Sequence, residues 1–223
     1  MLTKNLIGTV VLVAGSFLGQ TPVMAVPIVL DFEGAGDQAL IEGFYNGGTD
    51  SAGNSGVNYG ILFGANALSL IDLDAGGGGN FANEPSPNAI MFFLTGTAVL
   101  NFAPGFETGF SFFYSSFTAA TVNVYDGLDA GGNLLGSLNL TAQFDGNNCL
   151  GDPTGVFCNW TAIGVAFSGV AKSIDFGGTV NQTGYDDITF GSVTPGNPVP
   201  EPVSLALLGV GLAGLGFLRR RTT

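Results

Sequence analysis

Apolar residues in this chain come in short bursts. Residues 28–32, 59–63, 67–73, 90–102, 110–117, 121–125, 135–140, 163–167, 173–176 and 187–190 are rich in β-branched and aromatic side chains and are separated by Gly, Asn, Asp and Pro. That is the punctuation of strands and turns. Several runs alternate with period two: Val122 and Val124 oppose Asn123 and Tyr125, and Leu138 and Leu140 oppose Ser137 and Asn139, as strands with one buried face require. No stretch of the body has a helical period with caps. The pattern predicts an all-β domain of two packed antiparallel sheets, a sandwich of jelly-roll type, with a single barrel as the alternative. Nineteen phenylalanines supply the filling between sheets.

The two ends break this pattern. Lys4 is followed by the apolar stretch 6–18, and Val23-Met24-Ala25 places small residues at the two positions that precede a cleavage point, so residues 1–25 read as a signal peptide cut after Ala25. At the other end, 203–218 is an uncharged run of sixteen residues followed by Arg219, Arg220 and Arg221. As a helix it is roughly 24 Å long against a ~30 Å hydrocarbon core, a short transmembrane segment with a cationic cluster that keeps its end cytoplasmic. Just before it, Pro200 and Pro202 hold Glu201 in extended backbone. The expected organisation is signal peptide 1–25, sandwich 26–194, linker with the Pro-Glu-Pro motif 195–202, and transmembrane helix with its arginine cluster 203–223.

Removing the ends sharpens the charge balance. Of five basic residues only Lys172 lies between Val26 and Pro198, against sixteen of the seventeen acids. Nucleic acid and anionic membrane faces both need a basic footprint, so the body is not expected to bind them. There is no histidine. That excludes Ser-His-Asp and Cys-His nucleophile systems, His-rich zinc sites and a histidine base. Asp72/Asp74 and Asp186/Asp187 are formal carboxylate pairs for glycoside hydrolysis, but adjacent strand residues point to opposite faces, and loop acids near glycine are more often turn formers or calcium ligands than catalysts. The expectation is a protein that is not an enzyme. The run 76–79 is four glycines without a following Gly-Lys-Ser/Thr, so it reads as a flexible loop and not a phosphate cradle. The long polar loop 47–56 is where a rigid sandwich would place binding.

Cys149 and Cys158 enclose a turn-rich insert containing Asp152-Pro153 and two glycines, and in an oxidising exported compartment they are expected to form a disulfide. Trp160, Tyr45, Tyr59, Tyr114 and Tyr125 are the amphipathic rings that a glycan-binding face would use.

The order Pro200-Glu201-Pro202, apolar run, Arg219-Arg220-Arg221 resembles the PEP-CTERM sorting signal of bacterial exported proteins. The resemblance implies recognition by an exosortase-type membrane protease, a membrane-anchored intermediate, and delivery to the cell surface or extracellular matrix. Ile28-Val29-Leu30-Asp31-Phe32-Glu33, Tyr185-Asp186-Asp187-Ile188-Thr189-Phe190 and the segment from Val122-Asn123-Val124-Tyr125-Asp126 to Leu134-Leu135-Gly136 are similar to the first strand, last strand and central hairpin of galactose-binding-like jelly rolls. Such domains commonly hold a structural Ca2+ where first and last strands meet, which implies Asp31, Glu33, Asp186 and Asp187 as its ligands. Asp126 and Asp129 form a rival acidic loop without the Asp/Asn ladder of an EF-hand. The expected role is structural and non-catalytic at the cell surface or in the matrix, with an exopolysaccharide-binding module or a surface adhesin as the alternatives.

Overall fold

The computed structural model describes residues 27–143, 149, 151–152 and 154–196. The segment expected to be a signal peptide, the Pro-Glu-Pro motif, the apolar run and the arginine cluster lie outside the described residues. Among the described residues no helix is long and apolar enough to cross a membrane.

Among the described residues eleven strands form two sheets in which every strand pair is antiparallel. They are β1 (Ile28–Leu30), β2 (Ile61–Phe63), β3 (Leu68–Ile71), β4 (Ala89–Phe92), β5 (Ala98–Phe106), β6 (Gly109–Ser116), β7 (Ala120–Tyr125), β8 (Leu134–Leu140), β9 (Thr161–Ala166), β10 (Ala171–Phe176) and β11 (Thr183–Phe190). One sheet runs β3-β4-β11-β6-β9, with β1 beside the C-terminal half of β11; the other runs β2-β5-β10-β7-β8. The predicted two-sheet antiparallel sandwich is therefore the fold.

The alternating strands bury the residues their period selects. Val122, Val124, Leu138, Leu140, Ile174 and Phe176 are buried, whereas Thr121, Ser137 and Asn139 face solvent. Aromatic rings from both sheets meet between them: Phe106 of β5 sits edge-on to Phe190 of β11 at 4.8 Å, and Phe176 of β10 reaches Tyr185 of β11 at 4.9 Å. Edge-to-face contacts of this kind add to the area they bury.

Two departures from the sequence pattern have physical causes. The apolar run 90–102 is not one strand: the turn at Thr95-Gly96, with Gly96 at φ +59°, carries the chain from β4 in one sheet to β5 in the other. The six-stranded sheet is also covered on both faces. Met91 and Phe93 enter the main core, but Ile90 and Phe92 point outward into a second cluster with Leu70 and Phe81, against which Phe157 and Trp160 pack. The lack of alternation in 89–93 reflects this burial on both faces.

Phe157 and Trp160 lie at the end of a loop closed by the Cys149–Cys158 disulfide, whose Cα atoms are 5.5 Å apart, within the usual range. Closing so short a loop contributes about 2–3 kcal/mol on the chain-entropy model. The loop is tied to the sheet by Val156 and Phe157 N–H groups donating to Asn80 O, and by Ala82 N–H donating to Phe157 O.

Candidate functional site

Three places bring chemistry-bearing side chains together. The first is the junction of β1 and β11, where Leu30 pairs with Ile188. Beyond the strand, Phe32 adopts φ +60°, and Asp187 sits at φ +48° in a register shift between Asp186 and Thr189. Simple alternation is lost there and the four acids part company. Asp186 is wholly buried and accepts from Ser86 N–H at 2.8 Å, Ser86 Oγ–H at 2.7 Å and Asp187 N–H at 2.7 Å. Glu33 Oε1 accepts from the N–H groups of Asn88 and Ala89 at 2.8 and 2.9 Å. These two carboxyls fasten the 86–89 segment to the ends of the sandwich. Asp31 and Asp187 instead line an open cleft with Tyr59, Ser86, Pro85 and Pro87. Burial pushes Asp186 up to about 7 despite its Ser86 donors, and burial followed by the charge of Asp31 pushes Asp187 up to about 6.

The second place was not legible as a unit in the sequence. The turn after β3 carries Asp72 and Asp74, and the disulfide-closed loop carries Asp152; their carboxylate oxygens lie within 4.8 Å of one another. The 72–79 turn is held by Gly77 N–H donating to Asp72 O and by Leu73 N–H donating to Gly79 O, so the glycine run is a hydrogen-bonded turn. Burial, with the charges of Asp152 and Asp74, raises the Asp72 carboxyl above its ordinary value; burial, with Asp72, Glu33 and Asp152, does the same to Glu84. Asp152 is lowered, chiefly by hydrogen bonds from Thr154. The available signal was the Asp-Pro-Thr-Gly turn between the cysteines, but its partner lies some eighty residues earlier in the chain.

The third is a small concavity of about 30 Å³ on the outer face of the six-stranded sheet. Trp160, Phe157, Phe81 and Phe92 line it with Asn80, Ser115, Asn181 and Thr183. Trp160 stands edge-on to Phe81 at 6.4 Å, and its Nε1–H donates to Ala82 O at 3.0 Å. The ring lies over Gly184, where an added Cβ would come within 2.7 Å of Ile90 and 3.4 Å of Trp160. Of the other rings, Tyr45 and Tyr114 are buried, and their hydroxyls accept from Phe32 N–H and Thr141 N–H. Tyr59 stacks on Tyr45 at 6.1 Å, and Tyr125 is half-buried in β7.

Three further acids stabilise loops. Asp50, 2% exposed, accepts from Gly36, Ala52 and Asn54 N–H groups and organises the 47–56 loop from within. Asp126 accepts from Asn133, and Asp129 accepts from Asn101.

Comparison with known proteins bears on the tail. Residues 198–221 match the family described as the PEP-CTERM protein-sorting motif. No curated protein matches the chain. Among solved structures the chain is similar to a glycoside hydrolase family 43 arabinoxylan arabinofuranohydrolase from Bacillus subtilis in complex with cellotetraose, with 18% identity and a TM-score of 0.36, over 64% of this chain and 30% of that one. The chain thus spans less than a third of that protein's length, and a likeness of this degree carries no functional argument. The PEP-CTERM motif marks exported proteins and implies processing by an exosortase. Behind a two-sheet antiparallel β-sandwich body, this chain carries the PEP-CTERM protein-sorting motif at residues 198–221.

Proposed function

We propose that this chain is a structural, non-catalytic component of the cell surface or extracellular matrix, delivered there by exosortase-dependent sorting. The observation that carries the reading is the PEP-CTERM motif at 198–221, placed directly after a sandwich whose last strand ends at Phe190. The signal peptide is removed after Ala25. The short apolar helix then anchors the chain in the membrane until the protease cuts near Pro200-Glu201-Pro202. A jelly-roll body with a disulfide and a strongly acidic surface suits such a role, because it needs no site beyond its own stability. The absence of histidine and the engagement of Asp186 and Glu33 by main-chain donors support a non-catalytic body. Asp31 and Asp187, sharing one cleft, are the pair on which a structural Ca2+ at the β1–β11 junction would rest.

Intact-mass analysis of the protein from its native surface should give a chain that begins at Val26 and ends near residues 200–202. A surface form that retains Arg219 to Arg221 would overturn the sorting reading.

A second reading is favoured by the Trp160 concavity, in which an indole and three phenylalanines sit among Asn80, Asn181 and Thr183. Ring faces beside amide and hydroxyl groups are what a pyranose ring requires. On this reading the body binds exopolysaccharide. A glycan array with the exported chain should then give binding that Trp160→Ala abolishes; a blank array leaves the structural role.

A further inference from the structure

We propose that Asp72, Asp74 and Asp152 bind a divalent cation, with Ca2+ as the ion that fits their spacing. The site is separate from the β1–β11 junction and independent of the sorting reading.

Three carboxylates whose oxygens lie within 4.8 Å of one another repel unless a cation stands between them. The described residues supply none. Their only basic side chain is Lys172 on β10 of the other sheet, where its charge acts on Asp126.

The second observation is the state of Asp152. The residue is only 8% exposed. One of its oxygens, Oδ1, accepts from Thr154 N–H at 2.8 Å, Thr154 Oγ1–H at 2.6 Å and Gly155 N–H at 3.1 Å. Its other oxygen, Oδ2, is buried and has no hydrogen-bond partner among the described residues. Burying an acceptor without a partner costs about 1–3 kcal/mol, and more when it is charged. The three donors on Oδ1 fix the carboxylate while leaving Oδ2 free for an ion.

The geometry suits calcium. Ca2+ holds oxygens at about 2.3–2.6 Å, so ligands on opposite sides of the ion stand about 4.6–5.2 Å apart. One oxygen from each of the three carboxylates lies within 4.8 Å of the others, a spacing inside that range. Asp74 is exposed, which opens the cluster to solvent and to the water molecules that complete a shell of six to eight oxygens. The ligands come from two segments far apart in sequence, the turn after β3 and the disulfide-closed loop. A bound ion would clamp that loop, with Phe157 and Trp160 behind it, onto the sheet.

Calorimetric titration of the full exported chain with CaCl2, disulfide intact, tests the assignment. The expected affinity is in the range of extracellular calcium modules, about 10⁻⁴–10⁻³ M. Asp74→Asn and Asp152→Asn should each weaken one binding event at least tenfold, whereas Asp31→Asn and Asp187→Asn should leave that event in place. Asp74 is exposed in a turn, so Asp74→Asn decides the matter if Asp152→Asn fails to fold. No calcium binding at millimolar concentration, or binding that is unchanged by Asp74→Asn, would overturn the proposal. Binding lost only in Asp31→Asn or Asp187→Asn would assign the ion to the β1–β11 junction and overturn it equally.

Discussion

Replacing Phe176 by alanine is expected to destabilise the sandwich by about 3–5 kcal/mol, the usual cost of removing a buried aromatic ring, and to lower Tm by roughly 6–20 °C for a domain of this size. Phe176 is completely buried. It stands on β10 of the five-stranded sheet, yet its ring meets Phe110, Phe112 and Tyr185 of the six-stranded sheet at 6.0, 5.8 and 4.9 Å. Truncation would open a cavity between the sheets, where close-packed walls cannot collapse fully. Phe176→Leu, which keeps most of the volume, should lose roughly half as much or less. Leu134→Ala, at a position 55% exposed, should change stability by no more than about 0.5 kcal/mol. Thermal melts of the three variants check the ranking. Equal melting of Phe176→Ala and Leu134→Ala would mean that the two sheets do not pack through this ring.

Asp186→Ala is expected to cost about 3 kcal/mol at pH 5 and less at pH 8. Loss of the carboxyl strands the N–H groups of Ser86 and Asp187, whereas the Ser86 hydroxyl keeps Asp31 O as an acceptor at 3.0 Å; each buried group left unpaired costs about 1–3 kcal/mol. The pH dependence follows from the carboxyl's position near 7, above its ordinary 3.8. Because the folded state holds a proton there that the unfolded chain has released, this group's contribution is complete below about pH 4 and is lost as pH rises through about 7. Asp187, up to about 6, acts in the same direction, as do Asp72 and Glu84. The lowered carboxyls of Asp50, Asp126 and Asp152 work in the opposite sense, but only below the ordinary carboxylate range. Wild-type Tm should therefore fall between pH 5 and pH 8, and the fall should be shallower in Asp186→Ala. A wild-type Tm that rises over this interval would contradict a burial of Asp186 that outweighs its hydrogen-bond donors.

The acids at the two ends of the body show how far sequence reasoning reaches. That Asp31, Glu33, Asp186 and Asp187 belong to one neighbourhood follows from the pairing of a first strand with a last one. What each carboxyl does there was not legible, because the positive φ at Phe32 and Asp187 interrupts alternation at the positions concerned. Two of the acids are engaged by N–H groups of Ser86, Asn88 and Ala89, the irregular segment that leads into β4. The aromatic residues divide in the same way. Period two correctly turned Val122, Val124, Leu138 and Leu140 inward, since one buried face leaves an alternating trace. Tyr45 and Tyr114, candidates for a sugar platform by type alone, are core residues, because side-chain chemistry does not reveal which face of a segment meets the other sheet.

The sequence alone determined the all-β class, the disulfide-forming cysteines and the sorting motif, because each is written in local period, local punctuation or a contiguous motif; between sandwich and barrel the pairing of strands decided. Only the tertiary structure decided that 90–102 divides between two sheets, that Trp160 closes over the outer face of one of them, and that Asp152 meets Asp72 and Asp74. Those outcomes depend on which distant segments pair. Pairing between segments far apart in sequence is selected by the burial and hydrogen-bond satisfaction of the whole sandwich, which no local pattern contains.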